Sequence, residues 1–160
     1  MSTNLTSGQA PELDGTGRRV ALVCARFNDL IVDRLEVGAR RALTSVGVAE
    51  ADIQTIRVPG ALEVPSAIKA IVASGRFDAI VALGAVMRGD TYHFEVVSDQ
   101  SAAGIMRVAL DTGAVITNGI LTVDTVEQAN ERASDDDQNK GAGAALAAIE
   151  MLMVLSQIDG

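Results

Sequence analysis

Strand-like apolar segments alternate with helix-like segments along this chain, and that alternation restricts its fold more than any other feature. Arg19–Ala25 (RVALVCA) and Asp78–Val86 (DAIVALGAV) are near-continuous apolar runs, the pattern of a strand covered on both faces. Asp52–Val58 and Ala114–Thr122 read as two further strands. Between the first two, Leu30–Val46 has helical spacing: Ile31, Leu35, Ala39, Ala42 and Val46 share one face, and Asp33, Arg34, Arg40 and Arg41 share another. Gly47 ends that helix. Further helices are predicted over Ala61–Ser74, with Pro65 tolerated in the first turn, and over Tyr92–Asp111. Asp124 and Glu127 read as a capping pair opening a short helix to about Ala133, and Asn139–Gln157 forms the last, Ala-rich on its packing side. Such an order predicts a parallel sheet with right-handed crossovers and helices on both faces.

Composition fits that reading. With no Trp, one Tyr and three Phe, packing falls to Ala, Val, Ile and Leu, which suit a sheet buried on both sides. The 160 residues suffice for one domain, expected over 18–160 behind a flexible, polar, Gly-rich tail over 1–17. A net charge of −8 argues against a nucleic-acid partner and favours solubility. No apolar run approaches the roughly 18 residues of a membrane span, so no membrane association is expected. The first residues lack an apolar signal core, and the lone Cys24 sits in an apolar run as a buried, reduced thiol would. A cytoplasmic location is the expectation.

In parallel sheets of this kind, ligands bind beyond the carboxyl ends of the strands. The suspects are therefore Arg26–Asn28, Pro59–Glu63, Met87–His93 and Asn118–Asp124. Leu83–His93 carries the strongest signal, because a buried strand runs through Arg-Gly-Asp-Thr straight into a helix. Backbone N–H groups at a helix start attract phosphate, and Gly89 lets the chain approach a ligand closely. The plainer reading is a strand–turn–helix with Thr91 as its cap; no Walker or dinucleotide glycine pattern is present. His93 is the chain's one histidine, placed where an imidazole could relay protons or merely sit on the surface. Arg132 and Lys140 form a second cationic pair, for which solvated surface charge is the default. Glu63, in a first helical turn, could accept hydrogen bonds from a polyol or simply match the helix dipole. Phe27 could stack on a flat heterocycle or edge the core.

Taken together, the segments resemble the lumazine synthase (6,7-dimethyl-8-ribityllumazine synthase) family. The matching motifs begin with Arg26-Phe27-Asn28-Asp29, Val58-Pro59-Gly60-Ala61-Leu62-Glu63-Val64-Pro65 and Leu83-Gly84 to Arg88-Gly89. They continue with Thr91-Tyr92-His93-Phe94-Glu95, Asn118-Gly119-Ile120-Leu121-Thr122, Glu127-Gln128-Ala129 with Glu131-Arg132-Ala133, and Asn139-Lys140-Gly141. All stand in family order and spacing from about Arg18 onward. The expected fold is then an α/β three-layer sandwich, flavodoxin-like, with a four-stranded parallel sheet flanked by helices. The resemblance implies a transferase of riboflavin biosynthesis, at its penultimate step, joining 5-amino-6-ribitylaminouracil to 3,4-dihydroxy-2-butanone 4-phosphate with release of phosphate and water. It implies no metal and no organic cofactor.

The resemblance also implies residue roles. Phe27 would stack on the pyrimidine; Ala61, Leu62 and Glu63 would hold the ribityl chain; Ala85, Val86 and Met87 would line the pyrimidine pocket, completed by Asn118 and Lys140. Gly89, Asp90, Thr91 and Arg132 would bind the phosphate, Asp90 through its backbone N–H with its side chain turned to solvent. His93 would donate and accept protons. Leu62 and Asn118 stand where many members have Phe, and Val123 where Thr is frequent, changes that soften the pocket walls. Family members place Arg132 and Lys140 on the neighbour of the subunit holding Phe27, Glu63 and His93, in a homopentamer with active sites between subunits. The short link between Arg132 and Lys140 goes with a sixty-subunit icosahedral shell, and riboflavin synthase is an implied partner. Two rivals remain at this point: a non-catalytic flavin- or lumazine-binding shell protein of the same fold, and a flavodoxin-like electron carrier, whose aromatic flanks this sequence largely lacks.

Overall fold

Every expected strand forms, and all four lie parallel in one sheet. The computed structural model describes residues 11–160, so the Met1–Ala10 part of the expected tail lies outside the described residues. The strands are β1 (Val20–Ala25), β2 (Ile53–Val58), β3 (Ala79–Met87) and β4 (Val115–Val123), in spatial order β2-β1-β3-β4. Val20 pairs with Ile53 on one side and Ala79 on the other, and Ala79 pairs in turn with Val115, so the strands start level. The helices are α1 (Asp29–Ser45), α2 (Val64–Ser74), α3 (His93–Thr112), α4 (Val126–Arg132) and α5 (Lys140–Asp159). The architecture is the expected three-layer α/β sandwich of flavodoxin-like type.

Strand periodicity divides the core in two. Val20, Leu22, Cys24, Val81 and Leu83 point to the layer of α1 and α5; Ala21, Val23, Ala25, Ile80 and Ala82 point to the layer of α2 and α3. Leu22, Leu35, Leu43, Ile68, Leu83 and Ile149 are fully buried. Each contributes about 1.5–3 kcal/mol by leaving water. With so few aromatics to space the layers, helices approach closely. A Cβ on Gly141 of α5 would lie 2.1 Å from the Leu35 carbonyl oxygen of α1, and one on Gly38 would lie 2.3 Å from Asn139 Oδ1. The buried Asn139 caps α5 by accepting from Ala142 N at 3.0 Å and donates to the carbonyls of Arg34 and Ser134.

Four local features differ from the sequence expectations. Ala61–Glu63 is a 3-10 turn, and α2 proper starts at Val64 with Pro65 in its first turn. The cap of α4 is Thr125, whose Oγ1 accepts from Gln128 N at 3.1 Å, while Gln128 Oε1 accepts from Asp124 N at 2.7 Å. Asp124 is thereby freed from capping. Helix α5 has an 18-residue window of mean hydropathy 1.6, long and apolar enough by composition to cross a membrane. Its Gly141, Ala145, Ala148 and Ile149 are buried in the domain core, where the helix packs on α1, β3 and β4. The part of the expected tail that is described lies against the domain: Leu13 packs on the core and Gly15 N donates to Val46 O at 2.7 Å.

Beside the outer edge of the sheet, Glu36 of α1 accepts hydrogen bonds from Arg57 (2.6 Å), Thr55 (2.5 Å) and Arg40 (3.4 Å), tying β2 to α1. Burial pushes the Glu36 carboxyl up, but hydrogen bonds from Thr55 and Arg57, the Arg57 charge and the Arg40 bond outweigh it, so the net direction is down. On the same face of β1, burial, with the negative Glu36 adding to it, pushes the Cys24 thiol up to about 12, which makes it inert.

Two outcomes follow from this packing. Gly141→Ala should lower unfolding stability by about 1–3 kcal/mol in a denaturant titration, because the added methyl forces α5 off α1; an unchanged midpoint would contradict the close approach. Glu36, with its folded pKa below the ordinary 4.5, supplies stability that is present above that value and fades as pH falls through the lowered one. Glu36→Gln should therefore flatten the acid limb of a stability-versus-pH curve; an unaltered slope would remove the role.

Candidate active site

The carboxyl ends of β1, β2 and β3 open onto one cavity of about 570 Å³, and each wall has a local cause. After β1, Arg26 N donates to Val58 O at 2.8 Å and Phe27 N to Pro59 O at 3.2 Å, so the β1–β2 ladder runs past the strands themselves. Asn28 then turns the chain with φ 66°, the one non-glycine residue in the left-handed region among the described residues. Asn tolerates that conformation better than most side chains, and its Nδ2 donates to Ala85 O at 2.7 Å, anchoring the turn to β3. The turn leaves the Phe27 ring 74% exposed at the cavity mouth, with a face open for stacking.

The second wall comes from Pro59-Gly60 and the Ala61–Glu63 turn, which Glu63 N closes on Gly60 O at 3.1 Å. Ala61 is buried, whereas Leu62 and Glu63 present exposed side chains. Ala85, Val86 and Met87 of β3 form the third wall. Gly89, Thr91 and His93 follow, with Phe94 and Val97 of α3 behind them. An apolar pocket with few polar groups at its rim suits a flat, small organic molecule.

Helix α3 begins without a side-chain cap at Tyr92. Thr91 Oγ1 accepts from His93 N only at a long 3.4 Å, so the plain capping role of Thr91 is weakly realised. A twenty-residue helix with its amino end at the cavity favours an anion there. A Cβ on Gly89 would meet nothing within 4 Å, which leaves open space beside the loop. Among the described residues no group of three or more His, Cys, Asp or Glu could hold a metal ion.

Of the residues singled out in the sequence, the cavity gathers Phe27, Ala61, Leu62, Glu63, Ala85, Val86, Met87, Gly89, Thr91 and His93. Asp90 is exposed and does not line it. Asn118, Arg132 and Lys140 do not line it either. Asn118 lies within the edge strand β4, opposite Ala82, with its Oδ1 accepting from Ile120 N at 2.9 Å. Arg132 closes α4, its Nη1 donating to Gln128 O at 3.1 Å, and Lys140 is the exposed first residue of α5. Sequence reading had Asn28 among the strand-end suspects and Phe94 within a matching motif but gave neither a role, and it passed over Val97. An Asn between a strand end and a helix start was the available signal for the first; Phe94 and Val97 show only as helix-face residues.

The sequence model of the 6,7-dimethyl-8-ribityllumazine synthase family matches residues 17–156. A protein of Anaeromyxobacter sp. (strain K) with that name is 51% identical over 146 residues, covering 91% of this chain and 90% of its own. The namesake from Cupriavidus metallidurans is 50% identical over 147 residues, with coverages of 92% and 85%. The one from Halorhodospira halophila is 46% identical over 155 residues, with coverages of 97% and 98%. By sequence, the chain belongs to the 6,7-dimethyl-8-ribityllumazine synthase family.

Proposed function

We propose that this chain is a lumazine-forming transferase that condenses 5-amino-6-ribitylaminouracil with 3,4-dihydroxy-2-butanone 4-phosphate in riboflavin biosynthesis. The observation that carries the reading is one cavity in which His93 and the uncapped start of α3 face an apolar slot ended by Phe27. The Phe27 ring stacks on the pyrimidine, Glu63 accepts from ribityl hydroxyls, and Gly89 and Thr91 hold the phosphate at the helix start. Asp90 contributes its backbone N–H while its exposed side chain stays in solvent. His93 moves protons as the amine condenses with the ketone, phosphate leaves and the second condensation closes the ring, a water leaving at each condensation. Holding two reactants in register does much of the work, which is why one imidazole suffices.

No Lys or Arg among the described residues lines the cavity to supply the cation needed opposite the phosphate. We assign it to Arg132 of a second copy, with Lys140 and Asn118 of that copy closing the pyrimidine side. An assembly is supported by exposed apolar side chains, among them Met106 and Leu110 on α3 and Ile158 on α5, which a lone chain leaves in water. A pentamer, extending to a sixty-subunit shell, is the proposed form, in a cytoplasmic enzyme of one α/β domain. Riboflavin synthase, which would consume the product, is the proposed partner. The non-catalytic shell alternative would bind lumazine without turnover, whereas relatives of about half identity are named synthases.

Mixing the two substrates with the protein should generate the lumazine chromophore, and His93→Ala should lower kcat about 100-fold; full activity in that variant removes the proton-transfer role. Arg132→Ala should raise KM for the phosphorylated substrate ~30-fold, the equivalent of about 2 kcal/mol, with a smaller effect on the pyrimidine. An unchanged KM would sink the assignment. Sedimentation should show at least a pentamer; a monomer that turns over at full rate would contradict the shared site.

A further inference from the structure

Arg88 stands directly before the proposed phosphate loop, at the end of β3, where a cation could reach an anion. The structure commits its guanidinium elsewhere. Nε donates to Asp124 Oδ1 at 2.8 Å, just after β4, and Nη1 donates to Glu95 in the first turn of α3. The guanidinium carbon lies 4.2 Å from the centroid of the Phe94 ring. Its backbone N–H donates to Val123 O at 2.9 Å, carrying the β3–β4 ladder one residue beyond the strands. Asp124 is in turn held through its own N–H by Gln128 of α4. Arg88 thus joins the end of β3, the β4–α4 turn and the start of α3.

Between Arg88 and Glu95 lies Gly89–His93, the stretch that supplies Gly89, Thr91 and His93 to the cavity. Neither Arg88 nor Glu95 nor Asp124 lines it. A single exposed ion pair would add little, but one planar guanidinium shared by two carboxylates and a ring face fixes direction as well as distance. The hydrogen bonds from Arg88 hold the Glu95 carboxyl below its usual range, and those to Glu95 and Asp124 hold the Arg88 guanidinium above its own, so the Arg88–Glu95 pair stays charged at neutral pH.

We infer that Arg88, Glu95 and Asp124 form a positioning clamp that sets the Gly89–His93 loop for phosphate, with Arg88 held away from the anion rather than coordinating it. This inference rests on the proposed reading of the cavity as the site of a phosphorylated substrate. Loss of the clamp lets the loop shift, and misplacement of a binding group by 1 Å costs on the order of 100-fold.

The two roles for Arg88 separate when a carboxylate is removed. If Arg88 bound phosphate directly, Glu95→Ala would release it and leave phosphate affinity unchanged or tighter. The clamp predicts the reverse. Inorganic phosphate binding, measured by calorimetry on the assembled protein, should weaken about 10-fold in Glu95→Ala, in the exposed-site variant Asp124→Ala and in Arg88→Lys, which cannot span both carboxylates. KM for the phosphorylated substrate should rise in parallel while that for the pyrimidine stays within about 2-fold, and the Arg88→Lys/Glu95→Ala double variant should be no worse than either single one. Unchanged or tighter phosphate binding in Glu95→Ala overturns the clamp, as does an equal rise in both KM values. Wild-type protein that binds phosphate but makes no lumazine would instead refute the proposed reaction, leaving the phosphate comparison standing.

Discussion

Parallel pairing of β1 between β2 and β3 is the constraint from which the site follows. The strands start level, so their carboxyl ends finish on one side and must hand the chain to helices there. The exit from β1 is held by continued hydrogen bonding to Val58 and Pro59, and the exit from β3 by Arg88 N on Val123 O. Turns pinned in this way place Phe27, Leu62, Glu63 and His93 around one slot although they come from different parts of the sequence. The core beneath makes this possible through small and branched side chains that seat helices close on both faces, most tightly where Gly141 meets Leu35.

Electrostatics adds direction to that scaffold. The amino end of α3 provides a positive partial charge where the anion is proposed to sit, in a chain whose net charge is −8. Acidic groups are kept busy nearby: Glu95 and Asp124 hold Arg88, and on the far edge of the sheet Glu36 holds Arg57. Among the described residues, the cavity of one chain carries His93 and Glu63 but no Lys or Arg side chain, an arrangement that suits a site completed by another copy.

Much of this was legible in the sequence because the signals were periodic. The apolar runs gave strands within a residue or two of their ends, and the helix bounds followed from spacing and from Gly47. The rule that ligands gather at strand carboxyl ends then selected most of the cavity wall. What stayed hidden depends on side-chain choices that spacing does not encode. Thr125 rather than Asp124 caps α4 because Gln128 can answer its neighbour, and that choice frees Asp124 for Arg88. Asn28 reached the wall through a left-handed turn that only its bond to Ala85 explains. The remoteness of Arg132 and Lys140 from the slot was foreseeable only through family resemblance, and that of Asn118 was not foreseen, since spacing along one chain does not encode which residues a cavity leaves outside.

The proposal of a site shared between subunits is tested most directly by complementation between two crippled variants. His93→Ala and Arg132→Ala subunits are unfolded, mixed in equal amounts and refolded together, and lumazine formation is compared with either variant refolded alone. If imidazole and guanidinium serve one site from different subunits, random mixing pairs an intact His93 with an intact Arg132 in about a quarter of sites, and activity returns to roughly that fraction of wild type. Activity no higher in the mixture than in the separate variants would contradict the account.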